Sequence, residues 1–136
     1  MPYSKFTSEI LVRPDDIDMN NHVHNSKYLD IVLAARFEQM GKDYKMSMRE
    51  FIERGLAWVV HKCLIEYKRP LLLGDVAIVK TGILEVGTTT AKVGFEIIRK
   101  ETNKLSADGY FEYTLISLKT GRSEKLPEDV VQKYSI

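Results

Sequence analysis

The sequence predicts an α+β fold, an antiparallel sheet with one long helix against a face. Two observations predict it. One segment near the N-terminus carries apolar residues at helical spacing, whereas from Leu56 onward the chain changes to runs rich in β-branched and aromatic residues. Those later runs are joined by short turns with no helix between them, and hairpin-linked strands are antiparallel.

Taken in order, residues 6–12 alternate loosely and read as a first strand. A polar loop follows. The spacing then predicts a helix from about Asn25 to Met40, with Leu29, Val32, Leu33, Arg36 and Met40 on one stripe and Tyr28 and Ala35 beside it. Asn25 suits the N-cap because its side chain can accept a first-turn N–H. Gly41 suits the C-terminal stop, and Ala34 and Ala35 are small enough to let the helix lie close to a sheet. A shorter helix is expected over residues 47–54, ending at Gly55. Residues 57–68 form the next strand, and Pro70 with Gly74-Asp75 punctuates a turn. Residues 76–86 and 88–99 read as two long strands meeting near Gly87. Asn103 marks another turn, and residues 105–118 a further strand with Gly109 as a bulge. Gly121 sits in a tight turn, and Pro127 opens a closing helix over residues 128–134. No linker or repeat divides the 136 residues, so one domain is expected.

Composition narrows the function. A hydrophobic fraction of 44% supports a sizeable core, and 20 basic against 19 acidic residues give a net charge of +1, which makes no electrostatic case for nucleic acid. No apolar run approaches the ~20 residues of a membrane span. The Met-Pro-Tyr-Ser-Lys start lacks the apolar core of a signal peptide, and the one cysteine, Cys63, forms no internal disulfide; a cytoplasmic setting is expected.

The chemistry concentrates in residues 13–28, where three aspartates, three asparagines and two histidines crowd between apolar segments. Asp18 lies shortly before the expected helix start, where a carboxylate facing free N–H groups is suited to attacking and polarising a carbonyl. Asp15 and Asp16 read as turn and cap residues. His22 and His24 lack zinc-site spacing, so no metal is expected. Cys63 reads as a small strand residue, although His61 is placed to share its face. Lys62, Lys68, Arg69, Lys92, Arg99 and Lys100 read as solvated strand-end charges, a few of them candidates for holding phosphates.

The run Asp18-Met-Asn-Asn-His22-Val-His-Asn25-Ser-Lys-Tyr28 resembles the Asp-x-x-Gly-His-Val-Asn-Asn-x-x-Tyr motif of hotdog-fold acyl-CoA thioesterases of the 4-hydroxybenzoyl-CoA thioesterase-like group. The likeness continues through Ile65-Glu-Tyr67-Lys-Arg-Pro70, Gly74-Asp75, Ala107-Asp-Gly109 and Thr120-Gly-Arg122. It implies an antiparallel sheet of five or six strands wrapped around one long central helix, and a homodimer with shared sites, often paired into a homotetramer. It implies Asp18 as catalytic carboxylate, nucleophile or general base, and the Asn25 N–H as the group polarising the thioester carbonyl. His22, Tyr28, Arg69, Thr89 and Thr90 are the implied substrate-binding residues, with the pantetheine arm passing the strand that begins at Thr89 and Thr90. The implied substrate is an acyl-CoA or acyl carrier protein thioester, with coenzyme A as part of the substrate and no other cofactor. A non-catalytic acyl-CoA-binding domain of the same fold is the alternative, which a retained Asp18 disfavours. Two positions depart from the motif. Asn21 stands for its glycine, which asparagine can mimic in the left-handed region, and His24 stands for its first asparagine.

Overall fold

The structure, a computed structural model, describes residues 3–136. Its elements are β1 (Lys5–Leu11), α1 (Asn25–Lys42), α2 (Met48–Glu53), β2 (Leu56–Tyr67), β3 (Val76–Val86), β4 (Thr90–Arg99), β5 (Lys104–Ser117) and α3 (Glu128–Tyr134). The five strands form one antiparallel sheet in the order β1-β3-β4-β5-β2. The 18-residue α1 lies against β1 and β3. The twelve-residue β2 pairs only with β5 and forms one edge of the sheet.

Turn chemistry sets most boundaries. Gly55, Gly74, Gly121 and Asn103 all take positive φ where the chain reverses. Ser47 caps α2, its hydroxyl accepting the Glu50 N–H at 3.2 Å. Pro127 stands one residue outside α3, as its N-cap. Gly41, expected to stop α1, lies inside the helix. Asp43 and Tyr44 N–H groups donate to the Gln39 carbonyl and Met46 N–H to the Met40 carbonyl, so the last carbonyls are satisfied without glycine, and the left-handed residue is Lys45 at φ 61°. Gly109 is likewise not a bulge. It pairs in register with Phe95 and Ile65, and a Cβ there would collide with the Leu64 carbonyl, so close approach of β2 is what demands glycine. The register shifts fall instead around His61, Leu84 and Ser106.

The buried face of α1 also differs from the expected stripe. Tyr28, Ile31, Val32, Ala35, Arg36, Gln39 and Met40 face inward, whereas Leu33 is 41% exposed and Ala34 is exposed. Arg36 faces inward as expected, and the departure, Gln39 in and Leu33 out, follows from polar partners that the core offers. Arg36 Nη1 donates to Thr81 Oγ1 at 3.4 Å, Thr81 Oγ1 donates to Gln39 Oε1, Gln39 Nε2 donates to Ser8 Oγ at 3.1 Å, and Ser8 Oγ donates to Glu38 Oε1 at 3.1 Å. This chain ties α1 to β1 and β3 with hydrogen bonds each worth about 1 kcal/mol net. Around it, one apolar cluster joins the first half of α1 to the sheet, and a second joins Met40, Phe51, Leu115 and Val130 around Tyr44 and Tyr134. Those two rings stack at 4.5 Å between centroids, which adds roughly 0.5–1.5 kcal/mol beyond burial.

Candidate active site

The loop after β1 is organised around Asp18. Its N–H donates to the His22 carbonyl at 2.8 Å, and its carbonyl accepts the Asn21 N–H at 3.2 Å. Asn21 turns the chain with φ 60°, the left-handed conformation expected of the residue standing for glycine. The carboxylate completes the turn: Oδ1 accepts N–H from Asn20 at 2.8 Å and from His22 at 3.1 Å. These two bonds, His22 first, hold the Asp18 carboxyl below its ordinary value. Oδ2 has no hydrogen-bond partner among the described residues, and the side chain is partly exposed.

Asp16 anchors the same loop from the other side. Its carboxylate accepts the Arg13 N–H at 2.8 Å and its carbonyl accepts the His24 N–H. Asp15 pairs with Arg13 in solvent at 3.2 Å. Both are the structural residues expected.

α1 begins at Asn25 with His24 as N-cap, and no side chain caps it. Asn25 is therefore the first helical residue rather than the cap expected. The cause is that His24 already holds the extended cap conformation and offers its carbonyl to Lys27 N–H at 2.9 Å. The N–H groups of Asn25 and Ser26 donate to no acceptor among the described residues, and the first turn contains no acidic side chain. The positive end of the helix is thus left open.

β2 and the segment after it hold this helix start in place. Tyr67 hydroxyl donates to the Asn25 carbonyl at 3.1 Å, and its ring meets Tyr28 edge-on at 5.2 Å. Tyr28 hydroxyl accepts the Leu71 N–H at 3.0 Å, while Val23 N–H donates to the Leu71 carbonyl. Asp75 braces the segment by accepting from Leu72 N–H and from Arg99 Nε, both at 2.7 Å. The bulged Ser106 carbonyl accepts the N–H groups of Lys68 and Arg69. Tyr67 and the Asp75–Arg99 pair escaped sequence reasoning as parts of the site, although Tyr67 and Asp75 stand in the quoted motif segments.

Asp18, His22, Asn25, Tyr28 and Arg69 consequently line one open depression of about 240 Å³, joined by Tyr67. Within one subunit the other two expected residues, implied for a substrate arm running between subunits, lie apart from them. Thr89 lies in the turn before β4, which begins at Thr90 rather than Thr88. Thr90 lines a separate depression with His61 and Glu112, because through Thr114 it aligns with Val59 near the start of β2, at the other end of that strand from Tyr67. His61 is displaced by the bulge in β2, and its Nδ1 lies 2.7 Å from Thr114 Oγ1. No bond joins it to Cys63, whose thiol is pushed up by burial. Among the described residues, no group of three or more His, Cys, Asp or Glu is placed to share a metal ion, and no helix is long and apolar enough to cross a membrane.

This arrangement has recognisable relatives. A family model described as the thioesterase-like superfamily matches residues 12–134. The long-chain acyl-CoA thioesterase FadM of Escherichia coli K12 is 25% identical over 126 residues, covering 93% of this chain and 94% of that protein. The solved DHNA-CoA thioesterase of Staphylococcus aureus superposes with a TM-score of 0.90 at 21% identity, over 96% of this chain and 89% of that one. The 1,4-dihydroxy-2-naphthoyl-CoA thioesterase Slr0204 of Synechocystis gives 0.86 at 22% identity, over 96% of each chain. These structures share the five-stranded α+β hotdog architecture of this chain.

Proposed function

This chain belongs to the thioesterase-like superfamily, and on that premise we propose that it hydrolyses acyl-CoA thioesters to free acid and coenzyme A. One observation carries the reading: Asp18, with one carboxylate oxygen free, and Asn25, whose N–H is open at the start of α1, line the same depression. A thioester carbonyl seated there has its oxygen against the helix start, where N–H groups and dipole stabilise the charge that develops on attack. Asp18 acts either as the nucleophile on the carbonyl carbon or as the base for the attacking water. When Asp18 is the base, loss of the thiolate yields the free acid directly; when it is the nucleophile, loss of the thiolate leaves an acyl–Asp18 anhydride that water then hydrolyses to the acid, and in both cases the thiolate takes up the proton released from water. His22 and Arg69 at the rim bind the substrate's polar arm.

The assembly belongs to the same reading. β2 is an edge strand of twelve residues with Val59, Val60, Leu64 and Tyr67 exposed. An edge this long and apolar calls for a partner, and an antiparallel pairing of β2 with a second copy supplies it in a two-fold dimer. Full-length pairing sets the Tyr67 end of one strand, and the helix start bonded to it, beside the Leu56 end of the other. The lone, partly buried Cys63 fits a reducing, cytoplasmic setting. The test is a panel of acyl-CoAs with a thiol-trapping dye. Release of coenzyme A from at least one class supports the reading, and no release from any purified, folded preparation overturns it.

A further inference from the structure

The outward face of α1 carries Leu33 and Phe37, 41% and 58% exposed. They stand at the rim of a cavity of about 290 Å³ between the second half of α1, the start of β2 and α3. Trp58, Ile83, Val93 and Val130 are among its walls, and its lining is almost wholly apolar. One charged side chain lines it, Arg36.

Arg36 is 6% exposed, and its surroundings leave it short of partners. Nη1 has only the 3.4 Å bond to the Thr81 hydroxyl, the guanidinium lies 5.2 Å over the Tyr44 ring, and Nε is buried without a partner. Tyr113 hydroxyl, also on the cavity wall, is its other hydrogen-bonding partner and is likewise neutral. The hydrogen-bond chain from Arg36 reaches a carboxylate only at Glu38, after passing through Thr81, Gln39 and Ser8. A buried charge without its counter-charge is strongly unfavourable, and here it sits on the wall of an apolar cavity. Folding has already desolvated the cation, so an anion arriving there meets a preorganised partner.

We propose that this cavity binds an acyl group that ends in a carboxylate, and that Arg36 selects that end. The inference rests on the thioesterase reading for its occupant, the acyl half of the substrate. Size fits: an apolar cavity of ~150 Å³ holds one benzene, so this one holds about twelve carbons. Access fits as well. Trp58 and Val60 at the cavity lie toward the Leu56 end of β2, the end that pairing of two β2 strands brings beside a second copy's helix start. Carbonyl chemistry at that helix start and recognition of the distal carboxylate at Arg36 are then the two ends of one bound chain.

Trp58 is the chain's only tryptophan and lines the cavity, so its fluorescence reports occupancy independently of turnover. The probes are monomethyl dodecanedioate and methyl dodecanoate, titrated near neutral pH. They share length and ester and differ in the distal carboxylate. The wild-type protein should bind the dioate ester at least about tenfold more tightly, the lower end of what a charge-assisted hydrogen bond contributes. In Arg36→Met the ratio should fall toward one, and Arg36→Lys should retain part of it. Equal binding of the two probes by the wild type overturns the proposal, as does no fluorescence response to either, or a ratio that survives Arg36→Met. The wild-type ratio and Arg36→Lys decide the matter if Arg36→Met does not fold. Failure of the thioesterase reading shows separately, as no hydrolysis of any acyl-CoA with the probe ratio intact.

Discussion

Asp18 and His22 close their loop reciprocally: Asp18 N–H donates to the His22 carbonyl at 2.8 Å, and His22 N–H donates to Asp18 Oδ1 at 3.1 Å. Backbone and side chain of one residue are thus fixed against the backbone of the other. The carboxylate keeps one oxygen bound and one free, which aims it without occupying it.

Asp18→Asn tests the carboxylate. An asparagine oxygen can still accept the Asn20 and His22 N–H groups, so the thermal midpoint should stay close to that of the wild type. Turnover should fall at least about a hundredfold, the range for a lost acid–base group. Comparable hydrolysis by the folded variant removes Asp18 from the mechanism.

The acid limit of activity tests how Asp18 is held. Bonds from the His22 and Asn20 N–H groups lower its carboxyl from 3.8. The folded value lies below the unfolded one, so the charged form and its contribution to stability are present above the ordinary range and are lost only as pH falls through the lowered value. A carbon-13 titration of the Asp18 carboxyl should give a midpoint below that of a free aspartate. A midpoint above it means the two N–H bonds are absent in solution.

Asn21 tests the turn. At φ 60° a glycine is unstrained, so Asn21→Gly should keep activity and stability. Asn21→Val should lower stability by about 1–2 kcal/mol, because a β-branched residue resists the left-handed region. Equal thermal midpoints for the two variants contradict the loop geometry.

The sequence made much of this legible, for reasons that particular residues show. Gly55, Gly74, Asn103 and Gly121 announce turns because few other residues tolerate positive φ, and the strands between them follow. Asp18, His22, Asn25, Tyr28 and Arg69 are close in space because the loop, the helix start and the end of β2 are hydrogen-bonded together. What stayed hidden depends on neighbours remote in sequence. Gly109 looks like a bulge until the Leu64 carbonyl is placed against it. Gly41 looks like a stop until the Gln39 and Met40 carbonyls are seen to be satisfied. α1 carries apolar residues on two faces, and only Thr81 and Ser8 reveal why Gln39 joins Arg36 inside while Leu33 turns out. Thr89 and Thr90 entered through the resemblance, for a substrate arm running between two subunits, and within one subunit Thr90 lines a different depression from Asp18.

The assembly is tested by light scattering. A dimer or larger species is expected at micromolar concentration, and a charge placed on the exposed edge, Leu64→Lys, should weaken it. A fully active monomer contradicts the shared edge.

The most direct measurement concerns the Asn25 N–H. Asn25 is the first residue of α1, the position where proline is well tolerated, and His24 before it already has φ −55° and ψ 139°. Asn25→Pro therefore removes the N–H while leaving the helix able to form, and Asn25→Ala removes the side chain while keeping the N–H. With both variants folded, acyl-CoA hydrolysis by Asn25→Ala should stay near the wild type. Hydrolysis by Asn25→Pro should fall about a hundredfold or more, the scale for loss of one oxyanion donor. Equal turnover in the proline and alanine variants would mean that the Asn25 N–H holds no oxyanion, and the site geometry proposed around it would be wrong.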